Sequence, residues 1–214
     1  ISQEVIIPSM TFVATANAVI NSSCTPVFCD VDLATRNLTA SSILEKITSK
    51  TEAVIVVHYA GQPCNMDEIT KLCQDKKLLL IEDSAQTFGA KWNGKQAGSY
   101  GIGCFSFFPT KNITTAEGGM FTTNDNNLAE KARALISHGI VQSHKKSKPW
   151  NREALYAGHN YRMPNPLAAI GYIQLQKIDE LNKKRIMLAK YYNESFSKKI
   201  DGFIKCPYVL DSAE

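Results

Sequence analysis

Two residues stand in surroundings that suit chemistry, Lys111 and Asp83. Lys111 is the one charge between Tyr100 and Glu117. Aromatic residues lead up to it (Phe105, Phe107, Phe108), and hydroxyls lie on both sides (Ser106, Thr110, Thr114, Thr115). Gly118 and Gly119 let backbone approach closely. Apolar flanks make an ammonium costly, and a lysine of that kind suits Schiff-base chemistry. A solvated loop lysine is the plainer reading, and those three features count against it. Asp83 lies 28 positions earlier and ends the run Leu78, Leu79, Leu80, Ile81, Glu82. The apolar part, 78–81, reads as a strand buried on both faces. Acids at the carboxyl end of such a strand stand where open α/β sheets bind ligands. A buried carboxylate there needs a cationic partner. Asp83 could equally cap the next helix, so the residues alone reach a lysine and an aspartate in one α/β site.

The elements that position these residues follow from hydrophobic period. Residues 4–7, 26–29, 53–57, 78–81, 104–108 and 120–122 read as strands. Helices are expected from Ser9 or Thr11 to Val19, from Thr39 or Ser41 to Ile47, from an Asn65 cap to about Lys77, and from Asn124 or Asp125 to about Ser137. Gly139 ends the last of these. Residues 164–196 read as one long helix or two consecutive ones, and 203–207 as the start of a new strand. Strands alternating with helices give an α/β fold with a mostly parallel sheet covered on both faces. Gly94, Gly98, Gly101 and Gly103 punctuate a loop region. A strand rather than a helix follows the run 98–103, so it fails as a dinucleotide fingerprint. The segment 141–161 is too long for a plain connection.

Composition excludes several classes. The net charge is +4, but Lys and Arg are scattered and the one dense basic run is 144–148, so nucleic-acid binding has no support. The six cysteines form no CxxC pair and no zinc spacing, which fits a reducing compartment and no metal site. No signal peptide or membrane span is visible, so a cytoplasmic protein is expected.

The segments "IEDSAQTFGA" (81–90) and "FSFFPTKNITTAEGG" (105–119) together resemble the DegT–StrS group of fold-type I pyridoxal-phosphate sugar aminotransferases. The resemblance continues, in order, through "VIIPSMTFVATANAV", "TPVFCDVD", "VVHYAGQPCNMDEI" and "HNYRMPNPLAAIGYIQL". It implies the large domain of an aspartate aminotransferase-like fold over 1–176. It also implies, for 177–214, a long helix and the start of a small domain, with both ends of the chain cut. By this resemblance Lys111 forms the Schiff base with pyridoxal 5'-phosphate, and Asp83 pairs with the cofactor's ring nitrogen, keeping it an electron sink. Gln86 lies against the ring, Phe12 stacks on it, and Ser106 binds the phosphate. Asn160 reaches the phosphate of a neighbouring subunit, which implies a homodimer with shared sites. The implied reaction is transamination of a nucleotide-linked keto sugar with glutamate as amino donor. His58 and His138 match family positions, and satisfied structural histidines are the better reading of both. Two other readings remain. A sugar dehydratase of the group would carry His where Lys111 stands. A non-catalytic or regulatory relative is opposed by the intact Asp83 and Lys111 pair.

Overall fold

The computed structural model describes residues 3–141, 152–199 and 203–214. Its centre is a six-stranded sheet. The strands are β1 (Glu4–Pro8), β2 (Thr25–Cys29), β3 (Thr51–Val57), β4 (Leu79–Asp83), and then, after the hairpin β5 (Lys91–Trp92) and β6 (Lys95–Gln96), β7 (Ile102–Ser106) and β8 (Gly119–Thr122). The spatial order is β2-β1-β3-β4-β7-β8. Every neighbouring pair is parallel except β7 with β8, which is antiparallel. The fold is therefore α/β with a mostly parallel sheet, as the alternation of elements requires.

The period of two along each strand divides the core. Ile6, Val54, Val56 and Leu80 face one side and pack with Ile43 of α2 (Ala40–Leu44) and with Met66, Ile69 and Cys73 of α3 (Met66–Lys76). Val5, Ile7, Ala53 and Ile55 face the other side and pack with Val19 of α1 (Val13–Asn21). Local chemistry sets the helix ends. Thr39 and Ser42 form a reciprocal capping box on α2. Asn65 accepts from Glu68 N–H, and Asp125 accepts from Asn127 and Leu128 N–H at the start of α4 (Asn126–Leu135). Gly139 closes that turn with φ 72°, and a Cβ there would stand 1.8 Å from the Tyr156 carbonyl oxygen.

Several boundaries differ from the sequence reading. α1 starts at Val13, because the Thr11 hydroxyl bonds Thr15 rather than capping the helix. α2 ends at Leu44, short of Ile47. β7 starts two residues earlier than 104–108 and ends before Phe107. Gly103 lies within this strand rather than in the loop, and Gly101 is the last loop residue before it: a Cβ on either would stand 2.3 Å from a backbone oxygen, of Gly98 and Leu80 respectively. β4 runs through both acids, and Leu79 is 50% exposed, so the strand is not buried throughout on both faces. Residues 164–196 fold as two helices, α5 (Asn165–Leu175) and α6 (Ile178–Lys199). The strand expected at 203–207 is absent. That segment is irregular, and beyond it Leu210 N–H and Tyr208 C=O are both held by the Gln62 side chain. Glu214 and Ser212 then bond Lys91 and Asn93 beside the β5–β6 hairpin. The basic run 144–148 lies outside the described residues, as do residues 142–151 of the segment 141–161. Among those described, no helix is long and apolar enough to cross a membrane.

Candidate active site

A cavity of about 660 Å³ opens at the carboxyl ends of β3, β4 and β7, beside the start of α1. Its size suits a small organic ligand. Five of the six residues singled out in the sequence line it: Phe12, Asp83, Gln86, Ser106 and Lys111. The strand period explains part of this. Ile55 and Val57 of β3 and Ile81 and Asp83 of β4 share the sheet face on which α1 packs, and Asp83 stands level with Cys104 of β7.

Asp83 is partly buried, and both carboxylate oxygens are held. Ala85 N–H donates to Oδ1 at 3.1 Å, and the Thr15 hydroxyl donates to Oδ2 at 3.1 Å. Asp83 forms no ion pair among the described residues. Its anchoring at Ala85 is the local turn bond that a helix-capping reading anticipates, but no helix follows; the chain turns at 85–86 instead. Lys111 follows Phe108 by one tight turn, its N–H donating to the Phe108 carbonyl at 3.0 Å. The neighbouring hydroxyls serve the loop rather than the lysine. Thr114 Oγ1 donates to Phe107 C=O at 2.9 Å, and Thr115 Oγ1 donates to Glu117 C=O at 2.7 Å. The helices brace the same loop from outside: Gln174 of α5 accepts from Thr114 N–H, and Arg185 of α6 donates to Asn112 C=O. Ser106 Oγ accepts from Phe108 N–H at 3.3 Å, leaving its own proton to donate.

Phe12 is 74% exposed on the cavity rim, which removes ordinary core packing as its reason. Gln86 is not simply turned to solvent. Its Oε1 accepts from Ala60 N–H at 2.7 Å and ties the Tyr59–Gly61 turn to the cavity wall, so its amide N–H₂ is the end left to donate. Cys104 also lines the cavity. Although Cys104 is exposed to the open cavity, desolvation by the surrounding protein, with Asp83 and Glu82 close by, pushes its thiol up to about 11. Asn160 is not part of this cavity; it is exposed, pairs with Ser137, and accepts from Arg162 Nε–H. His58 is fully buried, takes Cys64 N–H on Nδ1 and faces Glu82 through Nε2 at 3.2 Å, a satisfied structural histidine on the opposite sheet face from Asp83. His138 is exposed. Two features escaped the sequence reading: Thr15 beneath Asp83, and Glu82 as the hub of a buried network. A Thr11/Thr15 pair one helical turn apart was visible, but its partner was not.

The site fits pyridoxal phosphate on its own chemistry. A tethered carboxylate without a cation, a lysine on a braced loop, a free hydroxyl proton and an exposed aromatic ring share one cavity.

The sequence profile of the DegT/DnrJ/EryC1/StrS aminotransferase family matches residues 1–210. GDP-perosamine synthase of Caulobacter vibrioides is 42% identical over 91% of this chain and 51% of its own length. The aminotransferase from Psychrobacter cryohalolentis superposes with a TM-score of 0.92 at 39% identity, over 97% of this chain and 54% of the other. Helicobacter pylori PseC, an aminotransferase involved in the biosynthesis of pseudoaminic acid, superposes with a TM-score of 0.87 at 33% identity, over 92% of this chain and 52% of the other. The chain spans about half the length of the curated relatives it matches. It belongs to the DegT/DnrJ/EryC1/StrS aminotransferase family, of the fold-type I pyridoxal-phosphate aminotransferases.

Proposed function

We propose that this chain carries the cofactor-binding part of a pyridoxal-phosphate-dependent aminotransferase. Its substrate is a nucleotide-linked keto sugar, converted to an amino sugar, with glutamate as amino donor. The observation that carries this reading is the meeting of Lys111 and Asp83 in one cavity, with Asp83 held at both oxygens by neutral donors. When bound, the cofactor supplies an electron sink that stabilises negative charge on the carbon losing its proton. Lys111 would hold the cofactor through its amine and would move a proton to and from that carbon. Asp83 would keep the ring nitrogen protonated. The Gln86 amide N–H₂ would donate to the ring's phenolic oxygen, and Phe12 would lie against the ring. The Ser106 hydroxyl would donate a hydrogen bond to the phosphate. The relatives' products support the substrate class, since GDP-perosamine is a nucleotide-linked amino sugar.

The proposal extends to the assembly. Asn160 lies away from the cavity of its own chain, which supports its serving a partner's cofactor phosphate in a homodimer with shared sites. Residues 1–176 form the large domain and 177–214 lead into the small one, in a cytoplasmic enzyme. The test is direct. Borohydride should bleach the visible band of the holoenzyme, and peptide mapping should place the pyridoxyl mass on Lys111. A mass on another lysine, or no visible band, refutes the reading.

A further inference from the structure

Thr15 is 5% exposed, yet its hydroxyl reaches the edge of the cavity. A buried hydroxyl needs a partner, and this one has two. It donates to Asp83 Oδ2 at 3.1 Å and lies 2.8 Å from Thr11 Oγ1. A carboxylate only accepts, so the single Thr15 proton goes to Asp83. Thr11 must then donate to Thr15. The result is a directed chain, Thr11 O–H to Thr15 O–H to the Asp83 carboxylate, in which each bond polarises the next. Thr11 and Thr15 are four residues apart, where the first turn of α1 brings side chains together.

The chain matters because a carboxylate turns freely about its last torsion. Ala85 N–H fixes Oδ1 alone and leaves the plane free to swing. A second bond to Oδ2, from a different element, fixes the plane. Each oxygen still has a lone pair unused.

We infer that Thr15 is a positioning residue, whose hydroxyl locks the Asp83 carboxylate in the orientation that receives the protonated ring nitrogen of the cofactor. The inference rests on the function proposed above. Thr11 acts one step further back, by holding the Thr15 hydroxyl rotor toward Asp83.

Thr15→Val keeps the shape and removes the hydroxyl, Thr15→Ser keeps the hydroxyl and removes a methyl group, and Thr15→Ala suits a helix and makes no packing demand if the valine variant fails to fold. The readouts on the intact protein are pyridoxal phosphate affinity, by titration of apoprotein at the visible band, and kcat separately from KM for the amino donor. Thr15→Val, or Thr15→Ala in its place, should bind the cofactor about fivefold to twentyfold more weakly and lose about tenfold in kcat, with KM little changed. Thr15→Ser should stay within about twofold of wild type on both. The inference falls if the hydroxyl-free variant matches wild type within twofold, or if Thr15→Ser loses as much as it does, which would assign the effect to packing. It also falls if unmutated protein fails to bind pyridoxal phosphate. That failure appears without any mutation and is thereby told apart as a failure of the proposed function itself.

Discussion

Glu82→Gln removes one charge and turns one acceptor into a donor at a carboxylate that serves four donors. Glu82 is fully buried, on the sheet face opposite Asp83. Its Oε2 accepts from Gly98 N–H at 2.7 Å and faces His58 Nε2 at 3.2 Å; its Oε1 accepts from Tyr100 N–H at 2.7 Å and Gly101 N–H at 2.8 Å. Cys64 N–H occupies His58 Nδ1, so the imidazole proton sits on Nε2 and points at Glu82. The carboxylate thereby sets the loop that enters β7, the strand leading to Lys111. In Glu82→Gln the new N–H₂ group faces two buried donors whichever way the amide is turned. Breaking a buried charged network of this kind costs about 3–5 kcal/mol, a large share of the ~5–15 kcal/mol that holds a domain folded. Urea unfolding of the intact protein measures this directly as a fall in midpoint. A pH series adds a second signature. Burial pushes the Glu82 carboxyl up, but the bonds from His58, Gly101 and Gly98 outweigh it and hold the group below its ordinary 4.5. A depressed carboxyl contributes stability that is fully present above the unfolded value and is lost as pH falls through the folded one. Wild type should therefore lose stability below about pH 4.5 more steeply than the variant does. A loss under about 1 kcal/mol at neutral pH, the scale of an ordinary substitution, would refute the view that Glu82 organises this loop.

Asp83→Asn should still bind pyridoxal phosphate, since an amide can occupy the same place, but turnover should fall by about 10²–10³-fold as the electrostatic stabilisation is lost; near-normal kcat in steady-state assays would reduce Asp83 to a turn-forming residue. Asn160→Ala should weaken cofactor binding by about tenfold to a hundredfold, the loss of one hydrogen bond to a charged group. Mixing Asn160→Ala with Lys111→Ala chains locates the contact: with shared sites each mixed dimer regains one centre with both residues intact, whereas no recovery of activity despite proven subunit exchange would place Asn160 and Lys111 in the same subunit's site.

Much of this was legible in the linear chain. Strand and helix periods are local properties, so β1, β3, α3 and α4 follow from apolar spacing and from side-chain caps at Asn65 and Asp125. Lys111 and Asp83 stood out because each lies just beyond an apolar stretch, and an unmatched charge in apolar surroundings is costly wherever the chain folds. Family resemblance then supplied roles for Gln86, Ser106 and Phe12, and the fold brings those residues to the same cavity. Ends of elements were less secure, since they depend on competition for backbone groups. The 203–207 segment was read as a strand, but among the described residues no strand partner reaches it, and Gln62, 146 residues away along the chain from Tyr208, binds the stretch that follows.

Family resemblance pointed to Asp83, but only the tertiary structure gives the physical reason for the division of labour between Glu82 and Asp83. Adjacent in sequence and alike in chemistry, they point to opposite faces of β4 because side chains alternate along a strand. Glu82 meets His58 and the amides of the glycine loop and becomes a structural anion; Asp83 meets Thr15 and the cavity and stays available to a ligand. Which acid did which could not be read from the pair itself, because it depends on partners 16–68 residues distant that only the folded sheet brings within hydrogen-bond range.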